Sequence, residues 1–323
     1  MNNLKKVGLS ALAGSLVAFS ANAVELSVTG KTEITYSGTT DGVNGNKFGN
    51  GNAITFSGSG DMNGYTATYT AVIQDGGQAS SNTSETFASS SLLLDMGDMG
   101  TIGFDAGVGE FGVSTIDDKM PYAYEEIWTY TGASNGLRAA GGANVLGYKN
   151  TFAGYTLSVE VDPGHFSSTT ASKGGSGDGG NTGAGTDRSG YNYAITGSPI
   201  DGLNVGVGYG TEEDSGTAAA NKQDDTYTTG FATYAVGGLT IGYQKSEGNG
   251  GTTATNSNEV EIMGASFAVN DSLTISVNSM ENEFDKPSGT NVTEETDGVG
   301  ISYTLGCASL RMFRAETSIF AGV

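Results

Sequence analysis

Cysteine, proline, histidine and basic side chains are all scarce in this chain of 323 residues, which has one Cys, four Pro, one His and 14 Lys and Arg together. The lone Cys307 excludes an intramolecular disulfide, so a loop-rich exported scaffold would have no covalent staple. The lone His165 lies in a Gly/Ser-rich stretch near Asp162, and no nucleophile or oxyanion donor can be assigned beside it; this argues against an enzyme. No phosphate-binding loop or metal-ligand cluster occurs, and the single Gly174–Asn181 run is an unrepeated flexible segment rather than a calcium-binding solenoid. Acids number 35 and the formal net charge is −21, the wrong sign for a nucleic-acid partner. Beyond residue 23 no apolar run approaches the roughly 18 residues that a membrane helix needs.

What is present begins with Met1–Ala23. Lys5 and Lys6 precede an apolar stretch containing Leu9, Leu16, Val17 and Phe19, and Ala21-Asn22-Ala23 is a small-x-small cleavage site. This is the pattern of a secretory signal peptide, with the mature chain starting at Val24. With 53 glycines and only 37% hydrophobic residues, the remainder is ill suited to a packed globular core. It suits a wall one residue thick, in which only alternate positions need be apolar.

Period-two alternation supplies that wall. Leu26, Val28, Gly30, Ile34 and Tyr36 share one face of a first strand, and Ser27, Thr29, Lys31, Glu33 and Thr35 share the other. The same alternation recurs around Leu203–Tyr209, Leu239–Tyr243 and Leu273–Val277. A soluble β-sandwich alternates equally well, but it does not sort its connections by length. Here tight turns such as Asp61–Gly64, Ala153-Gly154 and Asn270-Asp271 alternate without exception with long polar segments at 37–50, 74–86, 106–142, 163–189, 211–225, 247–257 and 281–295. Together with export, this predicts an all-β, antiparallel, up-and-down transmembrane barrel in the outer membrane of a Gram-negative bacterium. Residues 24–323 form that barrel, and Tyr36, Tyr155, Tyr209, Tyr243 and Tyr303 stand at strand ends as interfacial girdles. The acids, Glu281, Glu283, Asp285, Glu294 and Glu295 among them, fall in the long segments. There they solvate loops, the alternative being that divalent cations such as Ca²⁺ bridge them to anionic lipid; no other cofactor is expected.

Fifteen strands can be counted, the last over 308–315, whereas a bacterial barrel of this kind has an even number. Alternation fades after Met312, and the tail from Gly306 holds the cysteine and two arginines. It reads as a changed frame or shortened gene in which the fifteenth strand is altered and a sixteenth lost, or else as a natural divergent end.

Segment 106–142 follows the fifth strand and carries Gly109-Glu110-Phe111-Gly112, Thr115-Ile116-Asp117-Asp118-Lys119, Tyr122-Ala123-Tyr124 and the only tryptophan, Trp128. With the signal peptide, Gly30-Lys31 in the first strand, Gly147-Tyr148-Lys149-Asn150 after the loop and the turn rhythm, the chain resembles the general diffusion porins of Gram-negative outer membranes, the alphaproteobacterial type most of all. The enterobacterial loop motif Pro-Glu-Phe-Gly-Gly is only partly matched, since Gly109 replaces the proline and Val113 the second glycine. The resemblance implies a homotrimer of 16-stranded barrels in lipid and lipopolysaccharide, each passing small hydrophilic solutes and ions through a water-filled pore. It places Glu110 as the glutamate of an inward-folded loop, with Asp117 and Asp118 in the same acidic stretch. Lys149 stands where the family's wall has an arginine, Lys31 matches a first-strand lysine, and Arg138 is a substitute for the rest of the basic cluster. A constriction richer in acid than in base would favour cations. The competing expectation is a structural or adhesive barrel acting through its long external loops.

Overall fold

The computed structural model describes residues 25–36, 38, 47–74, 86–116, 119–128, 144–162, 189–212, 224–249, 257–285 and 291–321. The expected signal segment, Asp117, Asp118, Arg138 and His165 lie outside them. The chain divides into two units, residues 1–108 and 109–323.

The first unit is an antiparallel meander of β1 (Glu25–Tyr36), β2 (Phe48–Met62), β3 (Tyr65–Gln74), β4 (Thr86–Asp95) and β5 (Thr101–Ala106). Each strand pairs with the next in sequence, and Val28 lies opposite Phe56, extending an apolar face across the pair. The β2–β3 turn is Asn63-Gly64, with φ of 57° and 87°, and its Gly64 N–H donates to Asp61 Oδ2 at 3.1 Å. A single turn of 3-10 helix at Gly97–Met99 joins β4 to β5.

The second unit continues the same way through β6 (Val145–Phe152), β7 (Tyr155–Asp162), β8 (Gly190–Ile200), β9 (Leu203–Glu212) and β10 (Asp225–Val236). It ends with β11 (Leu239–Asn249), β12 (Ser257–Ala268), β13 (Leu273–Asp285), β14 (Val292–Leu305) and β15 (Ala308–Ala321). Among the described residues there are fifteen strands, all in antiparallel pairs with their sequence neighbours within each unit. The β8–β9 turn is short, because β8 runs on past a register shift to Ile200.

Alternation sorts the two faces. Leu239, Ile241, Met263, Phe267, Ile275, Val277, Val299 and Ile301 are exposed on one side, the arrangement a lipid-facing wall requires. Asn192, Gln244, Ser246, Ser276, Asn278 and Thr296 are buried on the other, where in an ordinary globule the apolar residues would be.

Two expectations about the last strands are corrected. Strands β13 and β14 extend through most of the expected loop 281–295, so Glu281, Glu283, Asp285, Glu294 and Glu295 are wall residues. All but Glu294 have the parity of the exposed apolar side chains below them, which makes an acidic rim on the outside of the wall. Glu281 stands opposite both Glu261 and Glu295, and Lys245 bridges Glu259 at 2.5 Å and Glu261 at 3.1 Å. Strand β15 does not fade at Met312 either; it pairs with β14 in unbroken register from Leu305↔Ala308 to Val292↔Ala321. Alternation there is hidden because Arg314 and Glu316, an ion pair, occupy outward positions where apolar residues were sought.

Candidate functional site: a loop bedded on the inner wall

The segment between β5 and β6 folds onto the buried face of the second unit, and there the unit's only sizeable apolar cluster among the described residues forms. Val113, Ile116, Met120 and Ile127 of the loop meet Ala194, Tyr227, Phe231, Val260, Ile262 and Met280 of the wall, with Trp128 and Phe313 packed at the edge. The loop thus covers an apolar strip of an otherwise polar inner face.

Its first part is tied at Glu110–Ile116, where Gly112–Ile116 makes a short 3-10 helix. Phe111 is fully buried over Gly147; any side chain at that glycine would occupy the same space as the ring. Gly112 has φ of 61°, a conformation only glycine adopts freely, and its N–H donates to Ser158 Oγ at 2.9 Å. Val113 N–H donates to Asn192 Oδ1 at 2.8 Å, and Asn192 Nδ2 in turn donates to Glu160 Oε1 at 2.5 Å. These wall partners are nearly inaccessible to solvent, so each bond satisfies a polar group that would otherwise be stranded. Lys149 Nζ completes the anchor, 2.9 Å from Glu110 Oε2, 3.4 Å from the Glu110 carbonyl and 5.4 Å above the Phe111 ring centre.

Its second part, Lys119–Trp128, lies along a row of glycines. Cβ atoms added at Gly242 and Gly264 would press on Pro121, and one at Gly300 would press on Ser276 Oγ, which holds Ala123, and touch Ala123 itself. Ala123 N–H donates to Ser276 Oγ and Asn278 Nδ2 donates to the Pro121 carbonyl, both at 2.9 Å. The Arg311 guanidinium sits 5.5 Å from the Tyr124 ring centre, and Phe313 closes on Gly298 and the Ile127 cluster.

Of the residues singled out in the sequence, Glu110 and Lys149 are brought into direct contact. Lys31 lies on the face of β1 opposite Val28 and Ile34, within the first unit. Trp128 packs against the loop's own cluster. Ser158, Glu160, Asn192 and Arg311 went unnoticed. Parity along the strand counted over 308–315 puts Arg311 on the inner face beside Phe313. Among the described residues no group of three or more His, Cys, Asp and Glu side chains is placed to hold a metal ion.

An antiparallel wall, lipid-ready outside and polar inside, with one loop folded onto its inner face, is the anatomy of an outer-membrane channel. The model of the Gram-negative porins matches residues 8–308, and the chain belongs to that family. No curated protein matches the sequence. Similar solved structures include the outer-membrane channel DcaP of Acinetobacter baumannii (10% identity, 94% of this chain and 95% of that one, TM-score 0.63). A loop-deletion form of OmpT from Vibrio cholerae is similar over 94% and 96% of the two chains (11% identity, TM-score 0.62). Salmonella typhi OmpF, in complex with daunomycin, is similar over 93% and 98% (13% identity, TM-score 0.57). At such identities the likeness speaks for the fold, an up-and-down outer-membrane barrel. The protein is an outer-membrane diffusion channel and not an enzyme.

Proposed function

We propose that this channel is a cation-preferring general porin whose constriction is formed by the bedded loop. The observation that carries the proposal is the loop's placement: Glu110, Glu125 and Glu126 ride on a segment packed against the inner wall. Lys149 is already engaged by Glu110. A surplus of fixed negative charge in a narrow aqueous passage concentrates cations and repels anions. The family resemblance adds Asp117 and Asp118 to that surplus and sets Arg138 and Lys31 against it.

The working form is a homotrimer, exported by a signal peptide cleaved after Ala23; an OmpT structure of similar fold is described as a trimer. The outward acidic rim of β11–β14 supports contact with lipopolysaccharide, divalent cations such as Ca²⁺ bridging carboxylates to anionic headgroups. Planar-bilayer recording tests the channel, with stepwise conductance expected from folded trimers. Under a salt gradient the reversal potential should have the sign of cation preference, and an anion-favouring sign would overturn the charge argument.

A further inference from the structure

The bedded loop is also held from the last strand of the wall. Along β15, Arg311 lies opposite Ser302 and Phe313 opposite Gly300, so both side chains share the inner face on which the loop rests. The side chains of an intervening strand would ordinarily fence them off from it. Strand β14 instead presents glycines: a Cβ at Gly298 would stand 3.0 Å from Phe313 and 3.5 Å from Ile127, and one at Gly300 would stand 3.5 Å from Ala123. With that strand bare, β15 reaches across it to the loop. Phe313 packs at the edge of the apolar cluster that contains Ile127, and the Arg311 guanidinium lies over the Tyr124 ring, 5.5 Å from its centre. Two contacts three residues apart on the loop fix the direction of the segment as well as its position.

The guanidinium suits this task. Lys149 spends its charge on Glu110, whereas Arg311 is exposed and forms no ion pair among the described residues. A guanidinium is planar, weakly hydrated and charged at every pH of interest, so the face of an aromatic ring is a sufficient partner. We infer that Arg311 is a positioning residue of the channel: through the Tyr124 ring it holds the second half of the loop in place, and with it Glu125 and Glu126, which follow Tyr124 directly. This rests on the reading of the loop as the constriction and adds to it the wall residue that limits the play of that half. An exposed contact of this kind biases a two-position equilibrium about two- to fivefold, so the segment is restrained without being locked.

The test compares Arg311→Gln, Tyr124→Leu, the two combined, and Tyr124→Phe in reconstituted trimers. It uses single-channel recording and acrylamide quenching of Trp128, the only tryptophan and part of the same half of the loop. Arg311→Gln and Tyr124→Leu should each raise the time spent in wider conductance sublevels about two- to fivefold and make Trp128 easier to quench. The combined variant should do no more than either alone, because each substitution removes the same contact. Tyr124→Phe keeps the ring and should match the unsubstituted protein, and the denaturant midpoint should barely move in any of them. If Arg311→Gln fails to assemble, the contrast between Tyr124→Leu and Tyr124→Phe decides. Quenching unchanged in both single variants, effects that add in the combined one, or Tyr124→Phe behaving like Tyr124→Leu would overturn the role of Arg311. Absence of stepwise conductance in every form, with the quenching pattern as expected, would sink the channel reading instead.

Discussion

The loop's two halves are held to the same wall by different physics. Glu110–Ile116 is fixed by directional polar contacts to Ser158, Asn192 and Lys149, with one aromatic ring sunk over a glycine. Lys119–Trp128 rests on glycines and apolar side chains, with two hydrogen bonds to β13, one donated by Ala123 N–H and one accepted by the Pro121 carbonyl. Hydrogen bonds to buried partners fix a position to within tenths of an ångström, whereas dispersion against a smooth floor changes little when a segment slides along it. Under the function proposed above, the more densely tied first half sets the position of the constriction, and the second half, with fewer polar ties, has more freedom to adjust its width.

Gly147→Leu is expected to break this comparison most severely. The leucine must occupy the space of the Phe111 ring, and overpacking of this kind costs about 1–3 kcal/mol or more. The denaturant midpoint of the folded protein should fall, and larger neutral polymers should enter the pore as the anchored half is displaced. A pore with wild-type polymer cut-off would show that Phe111 does not fix the loop.

Next comes Asn192→Ala, which removes the acceptor for Val113 N–H and a donor to the buried Glu160. Loss of a buried partner costs about 1–3 kcal/mol. Stability measured by denaturation should drop by that order, and open-channel noise should rise as the 3-10 turn loosens. In the second half, Ser276→Ala takes away the acceptor of Ala123 N–H in a place closer to solvent, with an expected loss of about 1 kcal/mol. It should alter noise without moving the polymer cut-off. If the effects of Asn192→Ala and Ser276→Ala were exchanged, the division of labour between the halves would be wrong.

The two halves also differed in how far they could be read from the sequence. Glu110 and Lys149 were singled out by family resemblance, and the structure joins them in an ion pair. The glycine floor was invisible for a physical reason: Gly242, Gly264, Gly298 and Gly300 look like ordinary strand glycines until the segment that lies on them is known, and that segment is more than a hundred residues away in sequence. Glu281, Glu283, Asp285 and Glu295 were read as loop because charge runs normally mark loops, yet a barrel wall that rises beyond the lipid can carry charge on its outer face and remain strand. Ser158 and Asn192 gave no signal, since a serine or asparagine on an inward position is what every polar-lined wall contains.

The smallest expected effect on stability belongs to the ion pair, and it separates the two roles of the anchor. Lys149 and Glu110 are 32% and 23% exposed, so water screens their attraction and the pair contributes no more than about 1 kcal/mol. Lys149→Gln and Glu110→Gln should both leave the denaturant midpoint close to that of the unsubstituted protein, because Phe111, Ser158 and Asn192 still hold the loop. Their electrical effects should nonetheless differ in sign. Lys149→Gln removes a positive charge from the pair and should move the reversal potential toward stronger cation preference, while Glu110→Gln removes a negative one and should move it the other way. Shifts of the same sign would mean that the substitutions act through loop position rather than charge, and the constriction's selectivity would then have to come from acids elsewhere on the loop.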